Sequence, residues 1–469
     1  MKRIITLLVA LTMVLGLCAC AGSGSPEETE APEVAGLQAG FGKINITPSY
    51  SVGLNGHSNY ETRLSEGFID YLFMTCIAVR SGAETILMYT FDNLAASNTV
   101  AEKMRELITE ATGIPGEKIF VGATHCHSAP ALSTSNYACN RYYEEILEYS
   151  VDAAKAALED MAPATLHATT TELPGMNFIR HYLINDGTYA GSNFGSFSPG
   201  IADYARETDP RMVLVKFDRE GDKKDILMVN WQAHPDYGTG IGETAISADF
   251  PGALRDKLGQ DADMLVAYFT GASGDQNPKS KIEADNHKLQ TYKDYGEKLA
   301  EYAYNALADL KPVEGTEIKT NRVMFPVEVD HSWDHMIEQA QEVYAHWKST
   351  TKSAGDTLAK TYGMSGVYQA RGIINRYKMG ETIDLELNTI RIGQMAFFTG
   401  TYEMFSTTGK YAREHSPFEQ NFIITGCSSY IPCAEAYDYN SYEAVSAYYA
   451  RGTAEILGEQ YVKMLNDIK

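Results

Sequence analysis

The chain has 469 residues, of which 44% are hydrophobic and 11% aromatic, and a formal net charge of -22. This balance suits a packed globular fold and disfavours binding to nucleic acid or anionic headgroups, which calls for a basic surface. Seven cysteines, widely scattered, make no disulfide scaffold.

The N-terminus runs Met1-Lys2-Arg3, then apolar residues over 4–17, then Leu17-Cys18-Ala19-Cys20. A basic start, a short hydrophobic core and a small-residue end read as a secretory signal over 1–19, and the apolar run is shorter than the about 20 residues of a spanning helix. Leu17-Cys18-Ala19-Cys20 is similar to the lipobox of bacterial lipoproteins. Cys20 is then the expected acylated residue, Cys18 the competing candidate, and the cell envelope, at the outer face of the membrane, or the extracellular space the expected location. Residues 20–37, rich in Gly, Ser, Pro and Glu, read as a solvated tether. The folded body is expected over 38–469.

Along that body, β-branched and aromatic runs bounded by turn residues predict strands over 41–46, 68–79, 85–91, 118–122, 212–217, 225–231, 264–269, 384–398 and 421–425. Helical periodicity predicts helices over 99–112, 142–161, 249–258, 287–310, 334–350 and 442–468. The alternation implies the α/β class, with a mixed, partly parallel β-sheet core flanked by helices. Residues 315–383 break it with polar helical segments and read as a helical insertion, a lid or wall over a site. Of the cysteines in the body, Cys427 and Cys433 are close enough in sequence for a bridge, which spacing alone does not decide.

Functional groups in open α/β sheets gather beyond the carboxyl ends of the strands. Strand 118–122 leads into Ala123-Thr124-His125-Cys126-His127-Ser128-Ala129-Pro130. Residues two apart share a side of extended backbone, so His125 and His127 would face one pocket as a metal ligand and a neighbouring acid/base; two ordinary core or surface histidines are the alternative. Strand 225–231 leads to His234, strand 384–398 to Glu403, and strand 421–425 to Tyr430. Two histidines with a carboxylate form an open zinc site with room for an activated water. Strand 264–269 leads into Gly271-Ala272-Ser273-Gly274-Asp275-Gln276-Asn277-Pro278, a tight turn whose amides are suited to a developing negative charge. Asp249 and Asp275 are either partners that orient histidines or a helix cap and a turn aspartate. His331 and His335 have metal-ligand spacing, but beside Asp330 and Asp334 they read as a solvated helix start. His57 reads as a loop histidine.

Together these segments resemble the neutral ceramidase family, the neutral/alkaline non-lysosomal zinc amidases that cleave the N-acyl bond of ceramide. The resemblance runs from about Gly40 to Tyr442. It rests on Gly42-Lys43-Ile44-Asn45-Ile46-Thr47-Pro48, the Thr124 to Pro130 segment, Asn230-Trp231 leading to His234, Ser247-Ala248-Asp249, and the stretch from Tyr430 that ends in Tyr442-Glu443. It implies the catalytic domain of that family without the C-terminal immunoglobulin-like domain. It also implies a zinc ion held by His125, His234, Glu403 and Tyr430, with His127 as acid/base and with Arg180 and Tyr442 at the oxyanion. Asn277 stands where the family carries a catalytic serine; it can donate a hydrogen bond but cannot act as a nucleophile. The implied function is zinc-dependent hydrolysis of a lipid or small-molecule acyl amide, with no protein partner. A non-catalytic ligand-binding envelope lipoprotein, and a zinc hydrolase of esters or phosphate esters, are the alternatives.

Overall fold

The computed structural model describes residues 34–56, 60–191, 197–237, 244–278, 289 and 291–469. The expected signal segment, the anchor cysteine Cys20 and His57 lie outside the described residues. Regular structure starts at Val34, ahead of the expected end of the tether at residue 37.

Among the longer elements, eight strands build the main sheet: β1 (Val34–Asn45), β2 (Phe73–Gly82), β3 (Glu84–Phe91), β4 (Ile119–Ala123), β5 (Ala162–Glu172), β6 (Arg211–Arg219), β7 (Ile226–Trp231) and β8 (Leu265–Thr270). Their order is β8-β7-β6-β5-β1-β2-β3-β4, with Lys311–Pro312 added beside β5. The outermost pairs, β3 with β4 and β7 with β8, are parallel, whereas those between are antiparallel. A second sheet runs β9 (Ile318–Glu328), β10 (Thr382–Ile392), β11 (Met395–Gly400) and β12 (Gln420–Thr425), with β11 and β12 parallel. The α/β class and mixed sheet are as expected, divided into two sheets.

The sheets pack face to face. Phe41, Met88, Phe217 and Phe269 of the first interleave with Phe397 and Phe422 of the second. Helices α1 (Asn98–Thr112) and α2 (Tyr137–Glu159) cover one half of the first sheet's outer face, and α3 (Asp249–Ala262) and α4 (Tyr292–Ala306) cover the other. Helix α2 is capped by Asn136, whose side chain accepts from the Cys139 amide, and its apolar stripe Tyr142, Ile146, Ala153 and Ala157 is buried. A Cβ on Gly40 or Gly42 of β1 would collide with the Ala157 or Ala153 carbonyl, so these glycines let the helix rest on the strand.

Helices α5 (Ile337–Ser349), α6 (Lys352–Thr361) and α7 (Val367–Arg376) form their own small core. The expected helical insertion over 315–383 is corrected by this arrangement. It opens with β9, which pairs with β10 along its whole length; polar residues such as Lys319, Asn321 and Arg322 hide this strand in the sequence. The chain finishes with α8 (Ser406–Glu414), α9 (Ala434–Asp438), α10 (Tyr442–Ser446) and α11 (Thr453–Asp467). The single helix expected over 442–468 is therefore two, separated where Ala447 turns extended. The strand expected over 384–398 is a hairpin that turns at Gly393, whose φ of 57° suits glycine. The helix expected from 287 begins at Tyr292, behind a capping box of Thr291 and Asp294. Among the described residues, no helix is long and apolar enough to cross a membrane, and Cys427 and Cys433 are free thiols.

Asn230 of β7 stitches the two sheets together. Its amide nitrogen donates to the carbonyls of Phe269 (3.0 Å) and Ile423 (2.8 Å), and its oxygen accepts from the Ile423 amide (3.1 Å) and Arg413 Nη2 (2.8 Å). Removing it leaves buried backbone groups without partners. Asn230→Ala is expected to lower the unfolding free energy by about 3 kcal/mol in urea titrations; a loss below about 1 kcal/mol would mean that water replaces these bonds.

Candidate metal centre

The carboxyl ends of β4, β7, β8, β11 and β12 meet at one place. Thr270 Oγ1 donates to the Thr124 carbonyl (2.8 Å) and Thr425 Oγ1 to the Thr270 carbonyl (3.0 Å). A Cβ on Gly122 would lie only 2.7 Å from Ile424 Cγ2, so the sheets close tightly there.

His125 follows β4 with φ of 65°, a left-handed conformation uncommon for a residue other than glycine. The alternation of extended backbone is therefore not what brings His125 and His127 together; a turn does, with the rings edge to face and 4.8 Å between centroids. Nδ1 of His125 lies 2.7 Å from the Leu94 carbonyl, and Nδ1 of His234 lies 3.0 Å from the Ser273 carbonyl. A carbonyl only accepts, so each Nδ1 carries a proton and each Nε2 is turned toward the centre. Those Nε2 atoms are 2.9 Å apart. Glu403 Oε2 is 3.3 Å from the first and 3.5 Å from the second, and this buried oxygen accepts no hydrogen bond. Tyr430 Oη is 3.5 Å from His234 Nε2, brought there because the short strand Tyr430–Ile431 pairs with Glu403–Met404. Nε2 of His127 is 3.2 Å from Nε2 of His125.

Two imidazole nitrogens and a carboxylate oxygen thus converge within 3.5 Å of one another, an arrangement that could hold a metal ion. Burial works against a charge on His125, yet Glu403 and Cys427 raise its pKa well above the ordinary value. Burial, then Arg180 and the neighbouring histidines, hold the His234 imidazole well below its own, hence neutral. Among the described residues, His125, His127 and His234 form the one group of three metal-binding side chains close enough to share an ion. Nitrogen and carboxylate donors, with a phenol beside them, suit zinc.

Arg180 is buried beside this centre, donating from Nη2 to Tyr430 Oη (3.1 Å) and the Gly274 carbonyl (2.8 Å) and from Nη1 to Asn277 Oδ1 (3.4 Å). Tyr442 packs edge-on against Tyr430, with centroids 5.9 Å apart, and chiefly burial pushes its phenol up to about 12. Burial and Glu403 also hold the Tyr430 phenol well above its usual value.

The remaining candidates lie elsewhere. Asp249 opens α3 and accepts from the Phe250 amide. Asp275 accepts from the backbone and hydroxyl of Ser406 and from Arg206. His331 pairs with Asp334 at 2.8 Å, and His335 stacks on Trp333. Two residues to which the sequence assigns no role, His181 and Glu443, sit behind the centre: Glu443 pairs with Arg180 at 2.7 Å and with His181 at 2.8 Å. Each directly follows a marked residue, Arg180 or Tyr442, and that adjacency was the available signal.

The chain is similar in structure to the neutral ceramidase of Pseudomonas aeruginosa, with a TM-score of 0.69 and 17% identity over 92% of this chain and 74% of that one. The fold is ceramidase-like. A ceramidase complexed with C2 gives a TM-score of 0.68 at 16% identity, over 92% and 75% of the two chains. No protein-family model and no curated protein matches the sequence.

A cation that binds only the folded centre stabilises it by mass action. Returning zinc to chelator-stripped protein, at about 1,000 times its Kd, is expected to add about 4 kcal/mol to the unfolding free energy. His125→Ala and His234→Ala are expected to gain nothing; an equal gain in either variant would put the ion elsewhere.

Proposed function

We propose that this chain is a zinc-dependent hydrolase of acyl amides, held at the outer face of the membrane through Cys20. The observation that carries the proposal is the pair of imidazoles tied at Nδ1, their bare Nε2 atoms 2.9 Å apart against Glu403. His125, His234 and Glu403 would hold the ion, with Tyr430 beside them. Zinc bound there supplies Lewis acidity and a water ionising near roughly pH 7.

The chain's own groups account for the rest. His127, two residues beyond His125, is only partly buried, and its Nε2 lies 3.2 Å from Nε2 of His125. It is suited to take a proton from water and return it to a leaving amine. Arg180 and Tyr442 donate toward the negative charge that develops on an attacked carbonyl oxygen, and with its pKa pushed up to about 12 Tyr442 keeps its proton at neutral pH. Asn277, its oxygen accepting from Arg180, offers an amide where a nucleophilic hydroxyl would be needed for a covalent intermediate, so water attacks the substrate directly.

An acyl amide is preferred to an ester or phosphate ester because the two similar structures named above are ceramidases. Asn277 is the observation that favours the non-catalytic binding lipoprotein. Elemental analysis and turnover of an N-acyl p-nitroanilide separate the two. The expected result is about one zinc per chain, lost in His125→Ala and His234→Ala. His127→Ala is expected to keep the metal while kcat falls by roughly 100-fold or more. A metal-loaded parent that hydrolyses neither amides nor esters would favour the binding protein instead.

A further inference from the structure

A guanidinium contributes to a reaction only when its direction is fixed before the charge develops. Arg180 is aimed from behind. Its Nε meets Glu443 Oε1 at 2.7 Å, which leaves the Nη edge facing Tyr430 and Asn277. The other oxygen of Glu443 is held as well, with His181 Nε2 2.8 Å from Oε2. His181 is fully buried, and its Nδ1 faces Tyr439 Oη at 2.6 Å and Arg206 Nη2 at 2.8 Å. Arginine only donates, so Nδ1 is the acceptor, and Nε2 carries the proton and donates to the Glu443 carboxylate. Arg206 is anchored on Asp275, which accepts from the Ser406 amide (2.7 Å) and hydroxyl (2.9 Å) at the start of α8.

Arg180 and His181 are consecutive, and consecutive side chains on a strand point to opposite faces. Here the strand is interrupted between Asn177–Ile179 and His181–Ile184, and both side chains reach one carboxylate. Glu443 also follows Tyr442 in α10, so the same carboxylate tethers the helix that carries the second donor. Burial opposes the charge on Glu443, but Arg180 and His181 hold its pKa well below the usual carboxylate range.

We propose that Glu443 and His181 are positioning residues, Glu443 aiming Arg180 and, through α10, Tyr442 at the metal centre, while His181 locks Glu443. The proposal rests on the hydrolase assignment above. An ion pair that merely held the fold would change stability and leave the chemistry alone.

The test is a cycle of the full-length parent, Glu443→Gln, Arg180→Ala and the double variant. Each is measured for zinc content and for kcat and KM on an N-acyl p-nitroanilide. After cobalt exchange, each is titrated with acetohydroxamate, followed by the visible spectrum. All four are expected to keep about one metal per chain. Glu443→Gln is expected to lose about 100-fold in kcat with KM within about 3-fold, and to bind acetohydroxamate about 10-fold more weakly. The double variant should lose less than the product of the two single losses, because Glu443 acts in part through Arg180 and in part through Tyr442. Tyr439→Phe, which loosens His181 without touching a charge, should keep its fold and lose about 3-fold in kcat. Losses that multiply in the double variant, or a Glu443→Gln protein altered only in its unfolding midpoint, would overturn the proposal. A parent without metal overturns it together with the hydrolase assignment. A metal-loaded parent whose acetohydroxamate affinity and turnover Glu443→Gln matches overturns the positioning alone.

Discussion

Two backbone carbonyls govern the centre. Leu94, in the loop after β3, and Ser273, in the loop after β8, each lie against the Nδ1 of one histidine. By holding the two rings at Nδ1 they bring the Nε2 atoms within hydrogen-bond distance of each other. Histidines free to rotate or to exchange tautomers would turn one N–H inward and satisfy the pair without an ion. The carbonyls oppose this, and the group that they orient could hold a metal ion.

The two-sheet architecture delivers those carbonyls. Parallel pairing of β3 with β4, of β7 with β8 and of β11 with β12 sends the strand ends to one side. The antiparallel centre of the main sheet holds the two parallel edges at a set distance. Thr270, Thr425 and Asn230 bind the sheets where they close. Glu403, which follows β11 of the second sheet, can then meet His125 and His234, which follow strands of the first, without any long loop reaching across.

Much of this was legible in the sequence, for physical reasons. Strands buried on both faces, such as Ile226–Trp231, read as unbroken apolar runs, and the residues after them could be assigned to a common edge. That edge held His125, His127, His234, Glu403 and Tyr430. Strand β5 escaped notice because Ala, Pro and Thr fill it, and β9 because Lys319, Asn321 and Arg322 interrupt its apolar residues. The conformation of His125 was misjudged, since a positive φ on histidine has no sequence mark. His181 and Glu443 were passed over because a buried charge network is defined by contacts across 262 positions of chain, which spacing does not encode.

The helical segment α5 to α7 belongs to the same logic. Arg376 of α7 donates to the carbonyls of Val445 (3.3 Å) and Ala447 (2.7 Å), which terminate α10, and a Cβ on Gly372 would collide with the Val445 carbonyl. Tyr368 of the same helix meets Tyr442 edge-on, with centroids 5.5 Å apart. One end of α10 is therefore gripped by Glu443 through Arg180 and His181, and the other by α7. A five-residue helix has too little internal hydrogen bonding to hold a side chain steady by itself. Two opposed anchors supply the rigidity that the helix lacks, and they tie Tyr442 to the small core that α5 to α7 form.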